Sequence, residues 1–516
     1  MQSSSRLTTP GLGAETKGKN RSVMPFYVLA LLVYGLLFSF WQYERVPVKV
    51  HAAAFLVAAT ALIPLARWYA QGSKEVPIFE LIVLSYAAQF SVPVYTQPNL
   101  LVILNRPTPL AWDDVFAALL YAELGIVSLM IAYSIAARLP FVRHAPKLDL
   151  PLNSEHRSTY LVLALLGGGF ITLLQTMGIL NIGSLGSIFA LLSRQMNVAL
   201  ILLAYDVYGG GERRPGLLFL LYGTVVASFI VGLTTGLLEN ALIPLALLLA
   251  VRWHATRRFP WVLVSLGILL YLILNPAKFT YREEVWYGDR TYGFGERVDL
   301  WGNLVAESAT NLLGADDRSK TEQNITESLA RFDLIHKFAY VQKITPEIKP
   351  FYLGQTYTYF LYAWVPRVFW PDKPLASEAN EAIDINYRLK LPGQSSTIGI
   401  GQLPEAYANF GVVGIVLVMG LQGLIFALLD SSLNGPDSDG GRAIYLSVMI
   451  YFLNGIGSSA AILFGALLQQ ILVNAVILRV FATGWRSPGP ELESERRLSG
   501  RRRRGQLPRY SRYNHR

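Results

Sequence analysis

The apolar residues of this 516-residue chain are gathered into runs of roughly 18–24, the length an α-helix needs to cross a ~30 Å hydrocarbon core. They fall near 24–42, 51–70, 76–95, 114–137, 158–177, 189–208, 215–236, 239–254, 259–275, 411–430, 443–457 and 460–482. A backbone in lipid must satisfy its own polar groups, and a helix does so within one segment. The reading is therefore an all-α polytopic membrane protein of about twelve transmembrane helices. Composition agrees: 16% of residues are charged, against about 25% in soluble domains. The chain has no cysteine, which excludes disulfides, thiolate chemistry and cysteine-held metals. Its six histidines are scattered without ligand spacing. No metal and no cofactor is assigned.

The net charge of +10 is a feature of the two tails: residues 1–23 carry about +3 and 486–516 about +7. Lysines and arginines also divide between alternate loops. Arg67 and Lys74, then Arg138, Arg143, Lys147 and Arg157, then Arg213 and Arg214, then Arg252, Arg257 and Arg258 fall on one side with both tails. The intervening short loops hold only Arg45, Lys49 and Arg106. By the positive-inside rule both termini are cytoplasmic, which fits an even number of spans. The expected organisation is a basic cytoplasmic tail (1–23), a transmembrane bundle of about nine helices (24–275), a large extracytoplasmic loop (276–410), closing transmembrane helices (411–482) and a basic disordered cytoplasmic tail (483–516).

The segment 276–410 carries 14 basic and 17 acidic residues. Loops of this length ordinarily have structure and function of their own. Within "ITESLARFDLIHKFAYVQ", Leu329, Phe332, Ile335, Phe338 and Ala339 have helical spacing, and such a helix would lie on the outer membrane surface or pack on the bundle. "NPAKFTYREEVW" presents Lys278 and Arg282 just beyond the ninth run, and "ARFDLIHK" presents Arg331 and Asp333. "VPRVFWPDKP" holds Arg367, Trp370 and Lys373 between prolines, which fix the backbone. "GQLPEAYANFG" carries Glu405, Tyr407 and Asn409 into the tenth run. Arg194 and Glu239 sit inside apolar runs near the outer side. A charge in lipid costs about 2.5–3.5 kcal/mol even on the mild scale, so both should face an internal cavity. Glu123 joins them or is a structural partner.

Two further signals have plainer explanations. The Asp-x-Asp of "PDSDGG" lies in a short Gly/Pro-rich turn on the cytoplasmic side, where no domain surrounds it, and reads as a linker. "RRLSGRRRRG" beside the last run suits anionic lipid, and no nucleic acid is expected.

Arginines at a membrane surface are suited to bidentate phosphate contacts, and neighbouring aromatics to sugar faces or prenyl chains. A polyprenyl-pyrophosphate-linked oligosaccharide carries all three groups. The order of "PAKFTYR", "RFD", "VPRVFWPDKP" and "PEAYANFG" between a many-helix bundle and closing helices resembles the bacterial oligosaccharide repeat-unit polymerases (O-antigen or exopolysaccharide, Wzy-type). Arg282 to Gly293 and Arg388 to Gly399 fit the Arg-x10-Gly pattern of that family's outer loops. One departure stands out. Where many members have an arginine in a turn at the outer end of a mid-chain helix, this chain reads "TTGLLEN".

The resemblance implies a glycosyltransferase of type C-like fold in the bacterial cytoplasmic membrane. It would transfer a growing glycan from its polyprenyl pyrophosphate to a new lipid-linked repeat without a metal. Membrane lipids, a chain-length regulator and a flippase would be its surroundings. Arg282, Arg331 and Arg367 would hold the pyrophosphate, with Lys278, Lys373 and Arg194 as secondary cations. Glu405 would be the base, with Asp333 next, and Trp370, Tyr407 and Asn409 would contact sugar. A lipid-linked oligosaccharide flippase or other transporter, and an O-antigen-type ligase, are the alternative functions.

Overall fold

The computed structural model describes residues 27, 34, 46–72, 75–96, 110–148, 154–180, 186–209, 215–313, 332–363, 365, 369–389, 399–435 and 439–483. Helices and no strands are found among them. Numbering those of eight residues or more, the order is α1 (Val48–Gln71), α2 (Ile78–Ser91), α3 (Trp112–Ala136), α4 (Ser154–Thr176), α5 (Gly186–Ser193), α6 (Gln195–Gly209), α7 (Pro215–Thr234), α8 (Leu238–Thr256), α9 (Trp261–Trp286), α10 (Phe294–Leu313), α11 (Ile335–Ile344), α12 (Gln355–Ala363), α13 (Ser377–Asn386), α14 (Gln402–Leu433), α15 (Asp439–Gly455) and α16 (Ala460–Thr483).

Among the described residues, nine helices are long and apolar enough to cross a membrane. This is a helical membrane protein. The nine cover α1, α2, α3, α4, the α5–α6 pair, α7, α9, α14 and α16. Helices also stand at the expected runs 239–254 and 443–457, as α8 and α15. α8 has Glu239 at one end and Arg252 and His254 at the other, and α15 has only 17 residues. α15 is nevertheless buried along most of its length, which suits an interior helix. The run at 24–42 falls almost wholly outside the described residues, as do both tails.

Close helix contact relies on small residues, because lipid gives apolar side chains no reason to leave it. α14 packs against α3 through Gly423, where a Cβ would collide with the Leu129 carbonyl oxygen. α14 is two helical segments joined at a break. Phe410 (φ −140°) and Gly411 (φ 62°, ψ −147°) leave helical geometry, and the second of these conformations is accessible to glycine.

Helix ends gather on two opposite faces. On one, Arg157 Nη2 meets Asp206 Oδ1 at 2.6 Å, and Asn434 brackets the backbone N–H and C=O of Val76 at 3.1 and 3.0 Å. The Ser431 hydroxyl donates to the Val142 carbonyl on the same face. On the other, the Leu334 N–H reaches the Gln89 carbonyl, Lys343 pairs with Asp114, and the Ser459 N–H reaches Asn380 Oδ1. The helix ends bordering the arginine-bearing short loops thus share one face, and the described residues between 332 and 389 cover the other.

That outer segment differs from its expected form. α9 continues through Pro276 to Trp286, because Ala277 and Tyr281 find a burial partner in Trp301 of α10. The bundle therefore reaches past 276 at one end, and α14 begins before 411 at the other. The expected face of α11 is correct for Ile335, Phe338 and Ala339. These pack into the bundle rather than on a membrane surface, and Phe332 is exposed. Leu329 lies outside the described residues. The proline-rich string folds back on α12: Lys373 Nζ donates to the carbonyls of Tyr362, Ala363 and Val365 (3.4, 3.3 and 2.7 Å).

Candidate functional site

A cavity of about 2140 Å³ opens where α4, α7 and α8 face α15 and α16, with α9 and α11 at its edge. Arg194, Glu239, Arg282 and Asp333 all line it. The two charges expected to face an internal cavity, Arg194 and Glu239, do so. Its volume exceeds the roughly 300–1,000 Å³ of small-molecule pockets, so an extended ligand fits.

Arg194 stands between α5 and α6, its Nη1 donating to Gln470 Oε1 at 3.0 Å and its guanidinium 4.9 Å from the Tyr451 ring centroid. Asn197, one turn on, holds the Tyr451 hydroxyl at 3.2 Å. Arg282 is fixed from a different direction. Its Nε donates to the Gly236 carbonyl at 2.8 Å, and its guanidinium lies 4.4 Å from the Trp286 ring centroid. Gly236 belongs to the "TTGLLEN" turn. The turn that lacks an arginine of its own thus receives one from α9.

Glu239 begins α8 and is exposed within the cavity wall, its Oε2 accepting from the Asn454 amide. Asp333 is 1% exposed although it lines the cavity, because it accepts both from the His336 backbone N–H and from His336 Nδ1 (2.9 Å to Oδ2). Lys337, one turn along the same helix, reaches the Gly399 carbonyl at 3.3 Å and lines the cavity as well.

The remaining expected residues divide otherwise. Glu405 is fully buried and is not part of the cavity wall; its Oε2 accepts the Ala460 N–H at 2.7 Å, capping the first turn of α16. Tyr357 is close to that carboxylate, and burial first, then Glu405, pushes its hydroxyl well above the usual phenol range. Asn409 ties α14 to α12, accepting from the Gly354 N–H and donating to Thr356 Oγ1. Tyr407 is buried against Tyr121 and Phe338. Lys278 is fully buried and donates to Asn275 Oδ1 at 2.8 Å. Lys373 caps α12, and Trp370 packs edge-on against Tyr362 at 5.6 Å. None of these lines the cavity. Glu123 accepts from Thr60 and stands apart too, as a structural partner. Arg331 and Arg367 lie outside the described residues. Among the described residues no group of three or more His, Asp or Glu is placed to hold a metal.

Sequence reasoning missed Lys337, Gln470, Tyr451 and Asn454. The signal for Gln470 was present, as an amide inside the apolar run "AILFGALLQQILVNAVIL".

One side of the cavity is apolar and open. Leu166 and Phe170 of α4 and Phe219 of α7 line it while remaining 67%, 60% and 82% exposed. They make this part of the wall an exposed apolar surface, of the kind that a lipid chain covers.

The chain belongs to the family described as a domain of unknown function, DUF8712, whose model matches residues 151–482. The match runs from the start of α4 to the end of α16 and contains every cavity residue named above. No curated protein matches the chain, and no solved structure does.

Proposed function

We propose that the chain is an oligosaccharide repeat-unit polymerase of the bacterial cytoplasmic membrane, with both termini cytoplasmic and residues 332–400 outside. One observation carries this reading: a single cavity combines arginines, an exposed carboxylate and an exposed apolar wall. A polyprenyl-pyrophosphate-linked glycan has the matching parts. Its chain would lie along the exposed apolar wall of α4 and α7, its pyrophosphate would meet Arg282, and its sugars would occupy the wide mouth beneath α11 and α13.

In the proposed reaction an acceptor hydroxyl attacks the anomeric carbon of the donor glycan. The new C–O bond forms as the bond to pyrophosphate breaks, and polyprenyl pyrophosphate leaves with the electron pair. Arginines that neutralise the developing charge assist departure without a proton donor. The acceptor proton passes to a carboxylate, and Glu239 is the best placed, being exposed in the cavity and restrained by one amide. Asp333 is the second carboxylate there, already occupied by His336. Glu405 is buried, does not line the cavity and is assigned no chemical step.

A transporter of the same lipid-linked substrate is the second reading. It is favoured by the helix break at Arg194 and by charged residues along an internal cavity, both common in transporters. Cells lacking the protein separate the two. Single unpolymerised repeats at the surface support the polymerase, absence of surface glycan supports the transporter, and polymer stranded on its lipid carrier indicates a ligase. Orientation is checked in this cysteine-free chain with Ser377→Cys, which should react with a membrane-impermeant thiol reagent in intact cells. Reaction only after lysis would reverse the proposed sidedness.

A further inference from the structure

We propose that Arg194 and Gln470 form a second subsite for a phosphoryl anion in the cavity, separate from the one at Arg282. Gln470 is 3% exposed, lines the cavity, and is oriented by Arg194, whose Nη1 donates to its Oε1 at 3.0 Å. With the amide oxygen so engaged, Nε2 must occupy the other edge, and it has no hydrogen-bond acceptor. A buried N–H without an acceptor is costly to leave unmade. Here it stands beside a guanidinium that makes no ion pair among the described residues and rests on an aromatic face. An anion in this corner would accept from both groups.

The nearby carboxylate makes no ion pair with Arg194. Glu239 also borders Tyr451, but it is held by Asn454 rather than by Arg194. Arg282 shares none of these contacts, being fixed by Gly236 and Trp286. The cavity therefore has two cationic corners on different elements. The inference builds on the polymerase reading, in which both donor and acceptor carry a pyrophosphate. The Arg282 corner would serve one and the Arg194–Gln470 corner the other.

The test is equilibrium binding of inorganic pyrophosphate to the full-length protein in nanodiscs of uncharged lipid, with no turnover involved. Wild type should bind two equivalents per chain. Arg194→Gln and Gln470→Glu should each bind one, the latter because its carboxylate pairs with Arg194. Arg282→Gln should keep the Arg194 equivalent. Should either corner variant fold poorly, Arg194→Lys keeps the charge while losing the planar fork, and should weaken one equivalent about tenfold. Unchanged stoichiometry and affinity in the corner variants would overturn the subsite. Polyprenyl phosphate added to the discs identifies the source of the anion. Displacement of the Arg194 equivalent indicates a lipid headgroup and no displacement a free anion, the subsite standing in both cases. Loss of one equivalent from a protein that makes no polymer would refute the polymerase reading and leave the subsite intact. Full two-site binding by Arg194→Gln in a protein that polymerises normally would remove the subsite alone.

Discussion

Glu239 and Glu405 are both glutamates near the start of a helix, on the same face of the bundle, and their surroundings assign them opposite work. Glu239 is exposed within a wide cavity and held by one side-chain amide. Glu405 is fully buried and spends an oxygen on the first backbone N–H of α16. A carboxylate at a helix N-terminus is stabilised by the N–H groups that it accepts from and by the helix dipole. The contrast teaches that an ionisable residue at the membrane mouth has two uses, and that access to a cavity separates them.

The largest effect that would sharpen this contrast is on turnover at Glu239. Glu239→Gln keeps size and hydrogen-bonding reach but accepts no proton, so chain extension should fall by roughly 10²–10⁴ while lipid-linked donor still binds. A drop in binding with unchanged turnover per bound donor would break the contrast. Next comes Arg282→Lys. It keeps the charge and gives up the fork stacked on Trp286, and one lost charge-assisted bond of about 1.5–3 kcal/mol should weaken donor binding roughly ten- to hundredfold. This is measured by titration with a polyprenyl-pyrophosphate-linked sugar.

On the sealed side the readout is stability. Glu405→Leu leaves the Ala460 N–H unpaired and should destabilise the protein by about 1–3 kcal/mol in a thermal or denaturant melt. Glu405→Gln can still accept that bond and should lose less. The smallest effect belongs to Lys373→Met, which removes a cation from the carbonyl end of α12. It should lower stability by about 0.3–1 kcal/mol and leave chain extension unchanged.

Much of this fold is legible in the sequence because lipid admits few structures. The runs at 51–70, 114–137 and 460–482 become α1, α3 and α16 almost residue for residue. Boundaries near the outer face were harder. Past 275 the chain turns polar, yet Pro276 does not end α9, because burial of Tyr281 against Trp301 continues it. α10 escaped notice since only one of its faces is apolar. Its partner on α9 is another segment that local composition does not reveal.

The site was partly legible for the same reason. Arg194 and Glu239 are charges inside apolar runs, and that placement alone directs them to a cavity. Arg282 was found through its position beyond a run. Lys278 looked equivalent and is not: four residues apart on one helix face, Lys278 is fully buried on Asn275 while Arg282 reaches the Gly236 carbonyl at the cavity wall. Glu405, Tyr407 and Asn409 read in the sequence as a motif at the mouth of a helix. Their spacing is explained instead by fastening, with Asn409 joining α14 to α12 and Glu405 joining it to α16.

The most direct test of the central claim, that transfer takes place in the cavity shared by Arg194, Glu239, Arg282 and Asp333, is chain extension by purified protein. The substrate is a synthetic lipid-linked repeat, and Glu239→Gln is compared with Glu405→Gln in the same assay. The account predicts that the first variant leaves the repeat unextended and the second polymerises within about twofold of wild type, a difference of at least roughly a hundredfold. Extension by Glu239→Gln at the wild-type rate, with loss of extension in folded Glu405→Gln, would contradict it.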